Sequence, residues 1–509
     1  VHPLIIRWRN HLGTAMGKAF DENEMPGAIS RIRYDAWYPG YATQVVEGRN
    51  VVPILTETQL YRYATPQHFT VNDFPEAHRD LTMGAFYPNP WRGGWWRLGD
   101  AVAYNLVACK AVLEVGARYK YELLYDKYIA GTDVIERFSS EPPYGWIVPA
   151  DQADRASTAT LLERMRINGI EVYTADEAFE HNGIFFPAGT FVLPTSQPFG
   201  LFLKNIFERQ EYPDLREYSH LWQGLVSPED WEGGPLRPYD GVGWTLPLQM
   251  GVETWEMSSG LEVPLTSVEE IDLPGSVSGG GGSYVFDHAD NKSVTAAFQL
   301  LEGGATVQWA NEPFALGGRQ YGAGAYVVQT GRVSGTRLRE IASNTGVQFR
   351  AGSARGPTTT LRMPRIGLHQ SWVASMDAGW ITYLFDSYGI PYESLTNAEI
   401  RAGRLNERFD VIVFADQRAS QIIDGHRKGT IPADYVGGIG DEGVHELEKF
   451  VIAGGTMVTN NASSDMPIEH FGLPIKNVLD GVPSDSFNCP GALLKAEFRS
   501  DHPLAYGME

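Results

Sequence analysis

Two stretches of this chain, 135 residues apart, carry the same pattern. GIEVYTADEAF at 169–179 matches GATVQWANEPF at 304–314, and AGTFVL at 188–193 matches AGAYVV at 323–328. Val172 and Val307, Phe179 and Phe314, and Gly189 and Gly324 all fall at that one offset. A duplication constrains folding more than any local propensity, because both segments must solve the same packing problem. Each copy opens on a strand-like segment (YGWIVP; SYVFD) and continues as a helical one (TATLLERMRINGI; VTAAFQLLEGGA). Each then closes on two strands. That order is the order of βα units, for which parallel pairing is expected. An irregular stretch rich in Trp, Pro and Gly, about 217–275, separates the copies, and SVSGGGGS at 276–283 reads as a flexible connector or loop tip.

The flanks read differently. Residues 3–21 predict a helix with Pro3 in its first turn. Val51-Val52-Pro53-Ile54-Leu55 reads as a short buried strand, with the polar Thr56-Glu57-Thr58 at its end. Residues 66–97 predict a long loop, and 99–128 a second helix with Val102, Leu106, Ala108, Val112 and Leu113 at helical spacing. Cys109 falls inside that helix and is expected to be a small core residue. From about 364 onward, strand and helix alternate: RIGLHQSW, DAGWITYLFDSYGI, PYESLT, FDVIVFADQ, HELEKFVIAGG, TMVTN. That rhythm predicts a doubly wound α/β domain. The whole chain is thus expected to be α/β, with domains at 1–135, 136–360 and 361–509, and repeat copies at about 145–216 and 284–350.

Composition narrows the function classes. Among 509 residues, 41 Lys+Arg stand against 62 Asp+Glu, a net charge of −21. Phosphate binding needs a basic stripe, so nucleic acid is not the expected partner. No run reaches the ~18 apolar residues of a membrane span. Cys109 and Cys489 are the two cysteines, which excludes a thiolate zinc site and a disulfide framework. The chain opens on the apolar-periodic Leu4, Ile5, Trp8 and Leu12 and stops just after Asp501-His502-Pro503, so it is expected to be a fragment.

A carboxylate ending a buried strand with aromatic residues nearby can act as a general base, which singles out Glu57. PLIIRWRNHLGTAMGKAF, YDAWYPGY, VVPILTETQLYRY and the helix closing near 130 together resemble the last third of a zinc metallocarboxypeptidase domain of the carboxypeptidase A type (the M14 peptidases). The resemblance implies a hydrolase of peptide or protein substrates, secreted or periplasmic, with zinc as cofactor. In that family a glutamate ending the penultimate core strand activates zinc-bound water, and Glu57 stands at its place. The family's pocket tyrosine lies about twenty residues earlier, which leaves Tyr34 and Tyr38 as alternatives, with Trp37 and Tyr41 beside them in the cleft. The chain departs from the family in its metal ligands. Only His2 and His11 precede Glu57, with no His-x-x-Glu and no substrate-clamping Asn-Arg. The resemblance therefore implies a domain truncated at its N-terminus, and these residues alone are expected to show little or no peptidase activity. The contrasting expectation is a non-catalytic scaffold binding peptide or glycan through a degenerate peptidase domain.

Residues 364–509 resemble the class I glutamine amidotransferase-like fold, whose active members need a cysteine at a sharp turn after a buried strand. Neither VIVFA at 411–415 nor TMVTN at 456–460 is followed by Cys, and Cys489 sits in the loop FNCPG. A binding or scaffolding role is expected there, truncated at its C-terminus. His445 and Glu448 share a helix face but follow Glu57, so a solvated face is expected rather than a metal site. His68 and His78 read as loop histidines, GGIGDEG at 437–443 as a loop leading into a helix, and PNPWRGGWWR at 88–97 as an aromatic loop over the cleft.

Overall fold

The computed structural model describes residues 1–30, 38–58, 65–211, 243–271, 273–483, 486–487, 489 and 491–508. It comprises two compact units, Val1–Gln152 with Ser157–Ile271 and Asn488–Lys495, and Ala153–Ala156 with Asp272–Phe487 and Ala496–Glu509. Both mix helix and sheet, an α/β composition in the general sense.

The first unit begins with helices α1 (Pro3–Glu22), α2 (Ala42–Glu47), α3 (Leu98–Arg118) and α4 (Lys120–Phe138). His2 caps α1, its Nδ1 accepting the Leu4 N–H at 3.3 Å, and Pro3 fills a first-turn position whose N–H has no helical partner. Met16 of α1 packs on Ala108 and Ala111 of α3, small side chains that let the two helices approach closely. The helix predicted over 99–128 is two helices. Tyr119, at φ −112° and ψ 26°, leaves helical geometry between them, and its ring packs against Trp8 and His11. Cys109 is exposed, contrary to expectation, because α3 buries Ala101, Ala108, Ala111 and Val115 and turns Cys109 away from that face. Within the expected loop, β1 (Gln67–Phe69) and β2 (Gly94–Trp96) form a small antiparallel pair.

The first repeat copy runs β3 (Gly145–Val148), α5 (Arg155–Ile167), β4 (Tyr173–Ala175), the hairpin β5 (Phe179–His181) and β6 (Ile184–Phe186), β7 (Phe191–Pro194), α6 (Gly200–Phe207), α7 (Leu246–Gln249), β8 (Trp255–Glu256) and β9 (Leu265–Ser267). The second, in the other unit, runs β10 (Ser276–Ser278), β11 (Ser283–Phe286), α8 (Lys292–Glu302), β12 (Thr306–Ala310), the hairpin β13 (Phe314–Leu316) and β14 (Arg319–Tyr321), β15 (Tyr326–Gln329), α9 (Gly335–Thr345), β16 (Gln348–Ala351) and β17 (Thr358–Thr360). Their sheets have the orders β8-β3-β7-β4-β9 and β10-β16-β11-β15-β12-β17. The parallel pairing expected among the repeated strands is not found, for β3, β4 and β7 or for β11, β12 and β15. The hairpin reverses the chain, so β7 returns antiparallel between β3 and β4, and β15 does the same between β11 and β12. Most of the first copy belongs to the first unit and the second copy to the second, while Ala153–Ala156, at the start of α5, belong to the second unit. The Gly-rich connector supplies strand β10, which pairs parallel with β16.

Past the second copy come β18 (Ile366–Gln370), α10 (Met376–Tyr388), β19 (Glu393–Thr396), α11 (Asn397–Ala402), α12 (Leu405–Arg408), β20 (Val411–Phe414), α13 (Ala419–Ile423), α14 (Gly440–Ile452), β21 (Thr456–Thr459) and α15 (Asp465–His470). The four strands are parallel, in the order β19-β18-β20-β21, over a core that includes Leu395, Ile412, Phe414, Leu447 and Phe450. No helix among the described residues is long and apolar enough to cross a membrane.

Candidate functional site

Residues 51–58 carry the sequence-derived catalytic candidate. Ile54 packs against the α1–α3 contact beside Phe20 and Val112, while Val51 and Leu55 are exposed. The expected buried strand is not formed, for a physical reason: among the described residues no strand lies alongside this segment to complete a ladder. Val51 N–H bonds back to Val46 O at 3.1 Å, closing the turn after α2, and Thr58 Oγ1 donates to Asn105 Oδ1 on α3 at 3.2 Å. Glu57 is exposed and forms no ion pair with a described residue. The partial burial that would set it apart as a base is therefore not supplied by these neighbours.

Tyr34 and Trp37 lie outside the described residues. Tyr38 meets Tyr41 edge-on at 5.1 Å between ring centroids and Trp244 at 6.4 Å. Trp244 is buried and donates its Nε1–H to Asn205 O at 2.6 Å, so Tyr38 belongs to an aromatic cluster with a firm floor.

The two histidines before Glu57 have structural partners. His2 Nε2 lies 3.0 Å from Asp133 Oδ2 while its Nδ1 caps α1. The His11 ring sits edge-on to Trp8 at 5.5 Å and to Tyr119 at 5.1 Å. His445 and Glu448 approach to 3.6 Å on the solvent side of α14. Among the described residues no group of three or more His, Cys, Asp or Glu side chains is placed to hold a metal ion. These residues do not fit zinc.

The second unit contains a cavity of about 200 Å³ that the sequence reading did not single out. It lies at the carboxyl ends of β18 and β20, where the strand order changes direction, the place where open parallel sheets bind ligands. His369, Ser371, Val373, Ser375, Ala415 and Gln417 line it. Ser375 Oγ accepts the Ala378 N–H at 3.2 Å, capping α10, and donates to Asp416 O at 3.2 Å. Gln417 Nε2 donates to Val373 O at 2.8 Å, holding the loop after β18. His369 Nε2 is 2.8 Å from Asn397 Oδ1, and the Asn397 amide donates its other end to Gly437 O at 3.4 Å. That amide orientation puts the ring proton on Nε2 and a lone pair on Nδ1. Burial pulls His369 down to about 4, so the ring is neutral at physiological pH. The cavity presents hydroxyl, amide and imidazole groups and no nucleophilic thiol; Cys489 is exposed and belongs to the first unit. The signal available in the sequence was positional: polar HQS at the end of the first strand of an alternating α/β pattern.

Comparison with protein-family models, with curated proteins and with solved structures returned no match to this chain.

Proposed function

We propose that residues 1–135 are the closing part of a zinc metallocarboxypeptidase-type domain and that Glu57 is its general base, acting on peptide or protein substrates outside the cytoplasm. The observation that carries the reading is the state of the segment leading to Glu57. Ile54 packs on two helices and Pro53 is buried, while Val51 and Leu55 are exposed, and the backbone has no ladder partner among the described residues. An apolar segment in that state has the character of a core strand lacking its neighbours. Leu98, Val102, Leu106 and Leu113 add an uncovered apolar stripe along α3. In the reaction Glu57 accepts the proton of the attacking water and passes it to the departing amine, while Tyr34 or Tyr38, with Trp37, contacts the substrate. The described residues do not fit zinc. The reading requires metal ligands beyond the described residues.

The test has two arms. Residues 1–509 supplied with zinc should release no C-terminal amino acid from peptides. The gene product that carries the metal ligands should do so, and Glu57→Gln should lower its kcat by about 10³-fold with an unchanged melting temperature. Near-normal turnover in Glu57→Gln sinks the proposal.

A second reading, a non-catalytic scaffold that binds peptide or glycan, is favoured by one observation. The four-stranded parallel sheet, read as amidotransferase-like, has a polar cavity at its switch point and no cysteine lining it.

A further inference from the structure

The cavity over the ends of β18 and β20 has polar walls and no charge. No acid, lysine or arginine is among the described residues that line it. Its one titratable lining residue, His369, is held neutral by burial. A charged ligand would lose its water there and gain no counter-charge, which is costly. The occupant that suits these walls is neutral.

Three lining side chains have hydrogen-bonding capacity to spare. Gln417 is 7 % exposed, and its Nε2 donates to Val373 O at 2.8 Å. A carbonyl only accepts, so this bond fixes which way the amide points. Gln417 Oε1 is left with no partner among the described residues, and it keeps open surface. His369 is 4 % exposed. Its Nε2–H is taken by Asn397 Oδ1 at 2.8 Å, which leaves the Nδ1 lone pair with no described partner and with open surface. Thr190 Oγ1 and His181 Nε2 also lack partners, but those atoms are sealed in, where no ligand reaches them. The spare acceptors of His369 and Gln417 belong to side chains that border a cavity. Ser371 Oγ accepts the Val373 N–H at 3.1 Å, so its hydroxyl proton remains to donate.

These groups are held in place before any ligand arrives. The Gln417–Val373 bond ties the loop after β20 to the loop after β18, and Ser375 Oγ adds a second tie by donating to Asp416 O at 3.2 Å. Acceptors fixed in this way lose little freedom on binding. An enclosed acceptor without a donor also favours a ligand that brings one.

We propose that this cavity binds one neutral sugar ring, free or as the end unit of a glycan, with ring hydroxyls donating to His369 Nδ1 and Gln417 Oε1 and accepting from Ser371 Oγ. A hydroxyl is donor and acceptor at once, so neighbouring hydroxyls on one ring satisfy all three groups. Val373, Ala374 and Ala378 supply small apolar walls for the C–H groups of the ring. A space of about 200 Å³ suits one ring rather than a chain of rings. A carboxamide matches the same three partners but occupies only a corner of that space. The proposal rests on the binding role of the second reading, to which it gives a ligand class, and it uses none of residues 1–135.

Isothermal titration of the 509-residue chain at neutral pH tests this. The probes are D-glucose, D-galactose, D-mannose and N-acetyl-D-glucosamine, their methyl glycosides, D-glucuronate and D-galacturonate, and Nα-acetyl-glutamine N-methylamide as the carboxamide. At least one neutral sugar should bind, with a dissociation constant on the order of 1 mM. The uronates should bind at least tenfold more weakly than that sugar. Retained binding of its methyl glycoside assigns the site to a glycan end, and loss of it assigns the site to the free sugar. Ala374→Phe, at an exposed lining position, should abolish binding with an unchanged melting temperature. His369→Phe keeps a ring against Phe414 and removes the lone pair, so it should weaken binding at least tenfold; Ala374→Phe keeps the test decisive where His369→Phe lowers stability. Failure of every neutral sugar to bind overturns the proposal. If the carboxamide binds instead, the cavity takes a peptide side chain and the second reading stands; if no probe binds, that reading loses this site as well. Uronates binding as tightly as the neutral sugar, or unchanged binding in both variants, also overturns it.

Discussion

The two repeat copies place nearly the same framework in two separate units. Val172 and Val307 are both buried, as are Ala175 and Ala310. Gly189 N–H bonds to Ala175 O at 2.8 Å, and Gly324 N–H to Ala310 O at 2.7 Å. Both glycines are left-handed, at φ 84° and 89°, a conformation that a side chain disfavours. What differs lies where the framework makes no demand. The first copy spends residues 208–254 between its second helix and β8, and the second spends 346–347 between α9 and β16. His181 stands against Leu316, Arg155 against Asp290 and Thr190 against Ala325. Packing fixes the shared residues, and local departures from packing logic mark where a copy is free to acquire its own chemistry.

The largest effect tests whether the frameworks are energetically equal. Met165 on α5 and Leu300 on α8 occupy the same repeat position and are both essentially inaccessible. Met165→Ala and Leu300→Ala should each destabilise the surrounding sheet by about 2–5 kcal/mol, the transfer and cavity cost of a buried large-to-small change. Native-state hydrogen exchange over β3-β7-β4 and β11-β15-β12 reads the two costs separately. A cost under about 1 kcal/mol in one copy alone would break the equivalence.

An intermediate effect comes from the Arg155/Asp290 position. Asp290 Oδ1 accepts the Lys292 N–H at 2.8 Å, and Oδ2 the Ala156 N–H at 3.2 Å. Burial, and then the neighbouring Asp154 charge, nonetheless push its carboxyl up to about 6. An unfolded aspartate titrates near 3.9. Between those values the folded state keeps a proton that the unfolded chain has released, so stability falls as pH rises through this window. The group's contribution is full below about pH 4 and lost above about pH 6, a difference of about 2–3 kcal/mol. Asp290→Asn should flatten that part of the urea-midpoint profile. An unchanged slope would show that the carboxyl is not the source.

Much of this framework was legible beforehand, because duplication and apolar periodicity are properties of sequence. The constant offset located both copies, and the strands from Ile366 to Thr459 fall where the alternating pattern put them. Antiparallel return was not legible. It depends on the Asn182-Gly183 and Gly317-Gly318 turns, short signals inside segments read as simple strands. The Val51–Leu55 segment reads apolar in sequence, yet a strand also needs a neighbour, and neighbours are long-range. Cys109 was misjudged by one helical step, since Ala108 takes the buried face. Glu57 stood out through its place in a resemblance. His369 did not stand out as a site residue, because a lone histidine in a strand carries no spacing signal. Only its burial and its bond to Asn397 distinguish it.

The smallest effect sharpens the same comparison at Thr190. This side chain is fully buried, and its Oγ1 has no hydrogen-bond partner, while the equivalent Ala325 is equally buried and has no polar atom to satisfy. The backbone at both places does the same work: Thr190 O accepts the Ala175 N–H at 2.9 Å, and Ala325 O accepts the Ala310 N–H at 2.9 Å. The hydroxyl is therefore not needed for the strand connection. Thr190→Val keeps the volume and the branched shape while removing the unpaired group, so it should stabilise the first copy by about 1 kcal/mol. The reverse change, Ala325→Thr, should cost the second copy about 1–3 kcal/mol, since it buries a hydroxyl where none is accommodated. Urea midpoints at constant slope measure both. If Thr190→Val instead destabilises, the hydroxyl is holding a buried water, and position 190 joins His181 as a place where the first copy keeps a polar group that the second lacks.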